Sequence, residues 1–185
     1  MGAEVIGVTG RKFHGKDSVS RELALQGYKV VRFAGPLKAM LRAFYKAHDL
    51  DDYTIERKIE GDLKEFPCPL LRGKTPRYAM QTLGDEWGRQ LIADDLWVES
   101  LVTRAGAVTK AVVPDVRYPN EAEAIRRLDG QIWRVDAGDR VPANEHSNHA
   151  SETQVDTITV DKEISNEGTL FELSTAVRAA LSLPA

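Results

Sequence analysis

The sequence predicts an α/β domain: a five-stranded, mostly parallel sheet flanked by helices. Three observations predict it. Strand, helix, strand and helix patterns follow one another within the first 48 residues, and short connections of this kind make right-handed crossovers between parallel strands. Residues 3–9 form an apolar run suited to a strand buried on both faces. That run leads into Gly10-Arg11-Lys12-Phe13-His14-Gly15-Lys16, with the Gly-x4-Gly-Lys spacing of a phosphate-binding P-loop between strand and helix.

The bulk numbers agree. The chain has 185 residues, of which 42% are hydrophobic and 29% charged, enough for one domain with a proper core. A net charge of -3 argues against a dominant non-specific nucleic-acid surface. The single cysteine, Cys68, excludes an internal disulfide and a clustered-cysteine zinc site, and it reads as an ordinary thiol in a loop. No basic-then-apolar leader and no run of 18 apolar residues is seen, so the expectation is a cytoplasmic protein away from membranes.

In chain order, the first helix is expected over 16–26, with Val19, Leu23 and Leu25 inward and Gly27 as its stop. A second strand follows at 28–33. Gly35-Pro36-Leu37-Lys38 opens a helix to about His48, with Leu37, Met40, Leu41, Phe44 and Tyr45 on its inner face. Residues 49–74 are charge-rich, interrupted by Pro67 and Pro69, and read as a mobile insertion with one short helix near 55–66. Thr75-Pro76 is an N-cap followed by proline at the first helical position. The helix behind it runs to about Leu91, with Tyr78, Leu83, Trp87 and Leu91 as core candidates. Another helix is expected over 96–105, a strand over 108–113, a helix over 119–128 and a strand over 131–136. Residues 137–154, which carry His146, His149 and Glu152, read as a loop or lid. A last strand at 157–163 and a helix at 170–181 close the chain. The economical organisation is one domain, 1–185, with an acceptor-binding insertion at about 49–106 and a lid at about 137–154.

In open parallel sheets, ligands bind at the carboxyl ends of strands. The residues there are the P-loop, Gly35–Lys38, Asp115-Val116-Arg117-Tyr118-Pro119-Asn120-Glu121 and Asn166-Glu167-Gly168. Phosphoryl transfer asks a protein for positioning and for positive charge on the moving oxygens. Lys16, Lys12, Lys38, Arg77 and Arg117 are the candidates for that charge. Asp17, Ser18 and Asp115 offer hard oxygens to Mg2+. Each also has a plainer reading: Asp17 favours a helix N-terminus, Lys38 and Arg77 suit a solvated helix face, and Asp115 and Arg117 suit mutual pairing. Trp97 suits a core position better than a stacking platform, and His146 and His149 lack further metal-ligand partners.

Taken together, Gly10–Ser18 with its unusual Gly-Lys-Asp form, Phe33–Lys38, Thr75-Pro76-Arg77 with Gln81 and Gly84, Trp97-Val98, Asp115–Glu121, Ser151-Glu152 and Asn166–Leu170 resemble the bacteriophage deoxynucleoside monophosphate kinases along almost the whole chain. Ser18 stands where threonine is more frequent. The resemblance implies a P-loop NTPase fold of the nucleoside monophosphate kinase kind, moving the γ-phosphate of ATP to a dNMP. It assigns the ATP phosphates and metal to Gly10, Gly15, Lys16, Asp17 and Ser18, and the surroundings of adenine to Asn166 and Gly168. Lys12 and Lys38 would face the acceptor's phosphate. Arg77, Gly84, Asp85, Trp97, Asp115, Arg117 and Glu121 would complete the acceptor site, and Lys16, Arg117 and Lys12 would carry catalysis. It also implies Mg2+ and a homodimer, while the acidic net charge leads to the expectation of no stable nucleic-acid partner. The chain matches least clearly over 49–74, so Arg57 and Arg72 stay open. Animal-type phosphomevalonate kinases share several of these motifs, though the block 75–97 fits them less well. A P-loop regulator or nucleic-acid-stimulated ATPase is the alternative of another class.

Overall fold

The computed structural model describes residues 3–140 and 155–182. His146, His149, Glu152 and most of the expected lid lie outside the described residues. The chain divides into two compact units, Met1–Arg32 with Leu101–Ala185, and Phe33–Ser100.

The first unit holds a five-stranded sheet of order β2-β3-β1-β4-β5, in which every pairing is parallel. The strands are β1 (Glu4–Thr9), β2 (Lys29–Val30), β3 (Lys110–Val116), β4 (Gln131–Asp136) and β5 (Lys162–Ser165). The central strands β1 and β3 are buried along most of their length, as the apolar run requires. The helices of this unit are α1 (Lys16–Leu25), α6 (Pro119–Arg126) and α7 (Leu170–Ser182). One core joins Val19 and Leu23 of α1, Ile6, Val8, Val112, Trp133, Val135 and Ile164 of the sheet, and Leu173 and Val177 of α7.

Three expectations change here. Leu25 is 73% exposed, because α1 buries only the stripe carrying Val19 and Leu23. The second strand shrinks to two exposed residues at the sheet edge, where a single neighbour, β3, is available to pair with. The last strand begins five residues later than the alternation at 157–163 suggests, because its register on β4 runs from Trp133↔Lys162 to Asp136↔Ser165.

The second unit is helical: α2 (Gly35–Lys46), α3 (Asp52–Ile59), α4 (Pro76–Thr82) and a π-helical continuation, Leu83–Ile92. The boundary between the units falls within α5 (Leu96–Gly106). Asp51 caps α3 by accepting from the Thr54 amide at 2.9 Å, and Thr75 caps α4 by accepting from the Tyr78 amide at 3.1 Å. Leu41, Tyr45, Ile55, Ile59 and Cys68 make this unit's core. The expected mobile insertion is therefore helix and 3₁₀ turns that share a core with α2, and Cys68 is buried within it. Tyr78, Trp87 and Leu91, expected in the core, are 46%, 38% and 76% exposed. For Trp87 and Leu91 the reason is the winding: a π-helix bonds i to i+5, so the 3.6-residue period used to assign an inner face fails beyond Thr82.

Candidate functional site

The loop after β1 turns directly into the first turn of α1. Gly15 is the N-cap of α1 in the left-handed region (φ 99°, ψ 19°), with no side chain capping the helix. A glycine is required twice over, since a Cβ there would stand 2.2 Å from Asn166 Nδ2. Ser18 N and Val19 N donate to Gly15 O. The amides ahead of them face the N-terminal end of α1, where the helix dipole favours an anion.

Lys16 is folded over this loop. Its Nζ donates to Gly10 O at 2.7 Å and Arg11 O at 2.9 Å, and stands 3.7 Å from Asp115 Oδ1. Asp115 sits at the end of β3 with φ 66°, where the register of β1 on β3 skips from Val8↔Pro114 to Thr9↔Val116. That bulge re-aims the Asp115 carboxylate. Its second oxygen takes Arg117 at 2.7 Å. Lys16, Asp115 and Arg117 thus form one chain of charges across the ends of β1 and β3.

Glu121 lies at the third position of α6 and is 6% exposed. Its Oε2 accepts from the amides of Arg117 at 2.9 Å and Tyr118 at 3.3 Å. The carboxylate therefore shapes the strand-to-helix turn that presents Arg117. Asp17 is largely exposed in the first turn of α1, 3.9 Å from Arg32. Lys12 Nζ lies 4.8 Å over the ring of Phe13, whose φ of 68° turns the loop.

Asn166, directly after β5, is 4% exposed. Its Nδ2 donates to His14 O at 2.8 Å, while its Oδ1 is buried and without a hydrogen-bond partner among the described residues. Two contributors escaped the sequence reading. His14 Nδ1 accepts from Ala137 N at 3.1 Å and lies 3.2 Å from Asp136 Oδ1, tying the loop to the end of β4. Arg140 donates to Gly168 O at 2.9 Å, holding the turn before α7. Neither carries a local signal, because each contact joins residues distant in sequence.

In the second unit, Lys38 Nζ stands 2.8 Å from both oxygens of Glu60, and Arg77 Nε donates to Glu65. Trp97 Nε1 donates to Gly84 O at 2.7 Å. Its indole lies against Gly88, where a Cβ would meet ring atoms at 2.5–2.6 Å. The ring is 6% exposed, so these contacts give it a packing role. Asp85 is exposed and accepts from Gln90 at 3.0 Å.

Hard oxygens suit Mg2+, and Ser18 and Asp115 supply them beside a phosphate loop. Among the described residues no group of three or more His, Cys, Asp or Glu is placed to hold a metal ion. No helix of the described residues is long and apolar enough to cross a membrane.

The chain is similar to two curated proteins. It is 28% identical over 148 residues to the "Putative deoxynucleotide monophosphate kinase" of Acanthamoeba polyphaga mimivirus, covering 71% of this chain and 73% of that one. It is 32% identical over 105 residues to the deoxynucleoside-5'-monophosphate kinase of Escherichia phage T5, covering 50% of this chain and 40% of that one. The resemblance drawn from the motifs is thereby borne out, and the chain is a relative of proteins so named. No protein-family model matches the chain. Among solved structures, TT1252 from Thermus thermophilus shares the fold, with a TM-score of 0.52 at 18% identity over 98% of each chain.

Proposed function

We propose that the protein transfers the γ-phosphate of ATP to a deoxynucleoside 5'-monophosphate, giving ADP and a deoxynucleoside diphosphate. The observation that carries this is the loop itself. An uncapped helix start, Lys16 poised on the loop carbonyls and the Asp115–Arg117 pair lie together at the ends of β1 and β3. The names of both relatives favour a deoxynucleotide acceptor over phosphomevalonate.

In this reading the α1 amides and Lys16 hold the donor phosphates, and Asn166 and Gly168 border the adenine. The reading assigns Lys12, Lys38, Arg77, Asp85 and Arg117 to the acceptor. Asp17, Ser18 and Asp115 would hold Mg2+, which would supply positive charge to the phosphates. An acceptor phosphate oxygen attacks Pγ in line, the bond from Pγ to the bridging oxygen of ADP breaks, and its electron pair leaves with ADP. The acceptor attacks as an anion, so the step needs no general base. Leaving Gly10 O and Arg11 O, Lys16 Nζ would meet the charge that develops in transfer. We read the second unit as the acceptor-binding part of one kinase domain, acting in the cytoplasm as a homodimer.

The test is coupled ADP formation over a panel of dNMPs, NMPs and phosphomevalonate, with Lys16→Ala as control. ADP formation that depends on a dNMP and is lost in Lys16→Ala is expected. ATP hydrolysis without acceptor dependence, or accelerated by DNA, would replace the kinase reading with an ATPase one. Sedimentation of the full chain measures the dimer.

A further inference from the structure

The two acceptor-site cations of the second unit are both occupied by carboxylates from one stretch of chain. Lys38 lies on Glu60, just past the end of α3, and Arg77 lies on Glu65, at the end of the 3₁₀ turn Asp62–Glu65. Arg42 forks onto Glu56 at 2.6 and 2.9 Å and reaches Glu60 at 3.5 Å. Between Glu60 and Glu65 in sequence stands Lys64, which is half-buried. Among the described residues its ammonium has no carboxylate within 4 Å.

The chain places these groups in one locale: Lys64 stands in the 3₁₀ turn Asp62–Glu65, between Glu60, which holds Lys38, and Glu65, which holds Arg77. Burial pushes the Lys64 ammonium below the ordinary lysine range, and Lys38 and Arg77 push it the same way, while Glu60 and Glu65 partly offset them. A half-buried ammonium beside two other cations, without a counter-ion of its own, is unfavourable until an anion arrives. Glu60 serves Lys38 and, at 3.5 Å, Arg42, and Glu65 serves Arg77. A phosphate monoester brings up to two charges and three oxygens on one atom, and so serves several cations at once.

We propose that Lys64 is a third cation of the acceptor-phosphate site, and that Glu60 and Glu65 hold Lys38 and Arg77 until the substrate's phosphate displaces them. This rests on the dNMP kinase reading. The site then selects for a phosphate-bearing acceptor twice. An uncharged nucleoside gains nothing from Lys64, and cannot compete with Glu60 and Glu65. Neutralising those carboxylates removes the competitor, whereas removing Lys64 removes a contact.

The experiment compares the wild-type chain with Lys64→Met, Lys64→Arg and the double variant Glu60→Gln/Glu65→Gln. Steady-state kinetics give KM for dNMP and for ATP, and calorimetry gives the affinity for inorganic phosphate. Lys64→Met raises the dNMP KM about tenfold, equivalent to about 1.4 kcal/mol, with the ATP KM unchanged. Lys64→Arg keeps most of the wild-type affinity, which a merely structural role would not require. The double variant lowers the dNMP KM. An unchanged dNMP KM in Lys64→Met, or a raised one in the double variant, overturns the proposal. Phosphate binding keeps the two readings apart. If dNMPs are not substrates yet phosphate binding weakens in Lys64→Met, the kinase reading falls and the anion site stands. If dNMPs are substrates and phosphate binding ignores Lys64, the anion site falls alone.

Discussion

Gly15→Ala tests how the phosphate loop is held. At φ 99° an L-residue is strained, and its Cβ would stand 2.2 Å from Asn166 Nδ2 and 3.3 Å from Asn166 Cγ. Asn166 is nearly inaccessible, so the methyl group must displace the amide from His14 O. The left-handed conformation costs about 1–2 kcal/mol. The lost hydrogen bond adds about 1 kcal/mol, so the expected total is about 2–3 kcal/mol. Asn166→Ala alone costs at most about 1 kcal/mol, because it removes that bond together with a buried oxygen that has no partner among the described residues. In the double variant the methyl has nothing to displace, and the loss falls short of the sum by about 1 kcal/mol. Urea unfolding at neutral pH, followed by circular dichroism, gives all four corners of the cycle. A cost for Gly15→Ala below about 1 kcal/mol, or a strictly additive double variant, refutes the packing of Asn166 on Gly15.

Other outcomes follow from the same contacts. Gly88→Ala pushes a methyl into the Trp97 ring and is expected to cost about 1–3 kcal/mol, with a changed near-ultraviolet tryptophan signal; an unchanged signal and unfolding midpoint would contradict the contact. Arg117→Ala reduces dNMP-dependent ADP formation far more than ATP affinity, and equal losses would move Arg117 to the donor side. Glu22 of α1 is held below the ordinary glutamate range by Arg178 of α7, against the opposing effect of burial. A depressed carboxylate contributes stability above its unfolded value, and that contribution fades as pH falls below about 4.3. Arg178→Met should therefore lower the urea midpoint at pH 7 and approach the wild type at pH 3. A deficit equal at both pH values would show that packing, not charge, ties α1 to α7.

How much was legible depends on the range of the interaction concerned. The strand–loop–helix start was readable because every signal is local: the apolar run, the Gly10-x4-Gly15-Lys16 spacing and the stop at Gly27 fall within 27 residues. The bounds of β4 and the Thr75 cap were readable for the same reason. The inner face of the helix after Thr75 was not. Its period changes where α4 passes into π-winding, and no residue between Leu83 and Ile92 announces that change. The extents of β2 and β5 depend on which strand lies alongside each, which alternation within one segment does not encode.

The sequence by itself determined which groups are present: a Gly-x4-Gly-Lys loop between strand and helix, an unusual aspartate after its lysine, and cations and hard oxygens at the strand ends. Local backbone preference and residue type suffice for that. Tertiary structure decided what each group does before a substrate arrives. Asn166 reaches back across 152 residues to His14 O, and Glu121 turns onto the Arg117 amide. Trp97 spends its N–H on Gly84, and Lys38 and Arg77 rest on carboxylates. These are non-local pairings between polar groups, fixed by burial and by the geometry of strand ends and helix starts. No periodicity records them, because the chain brings the partners together only when it folds.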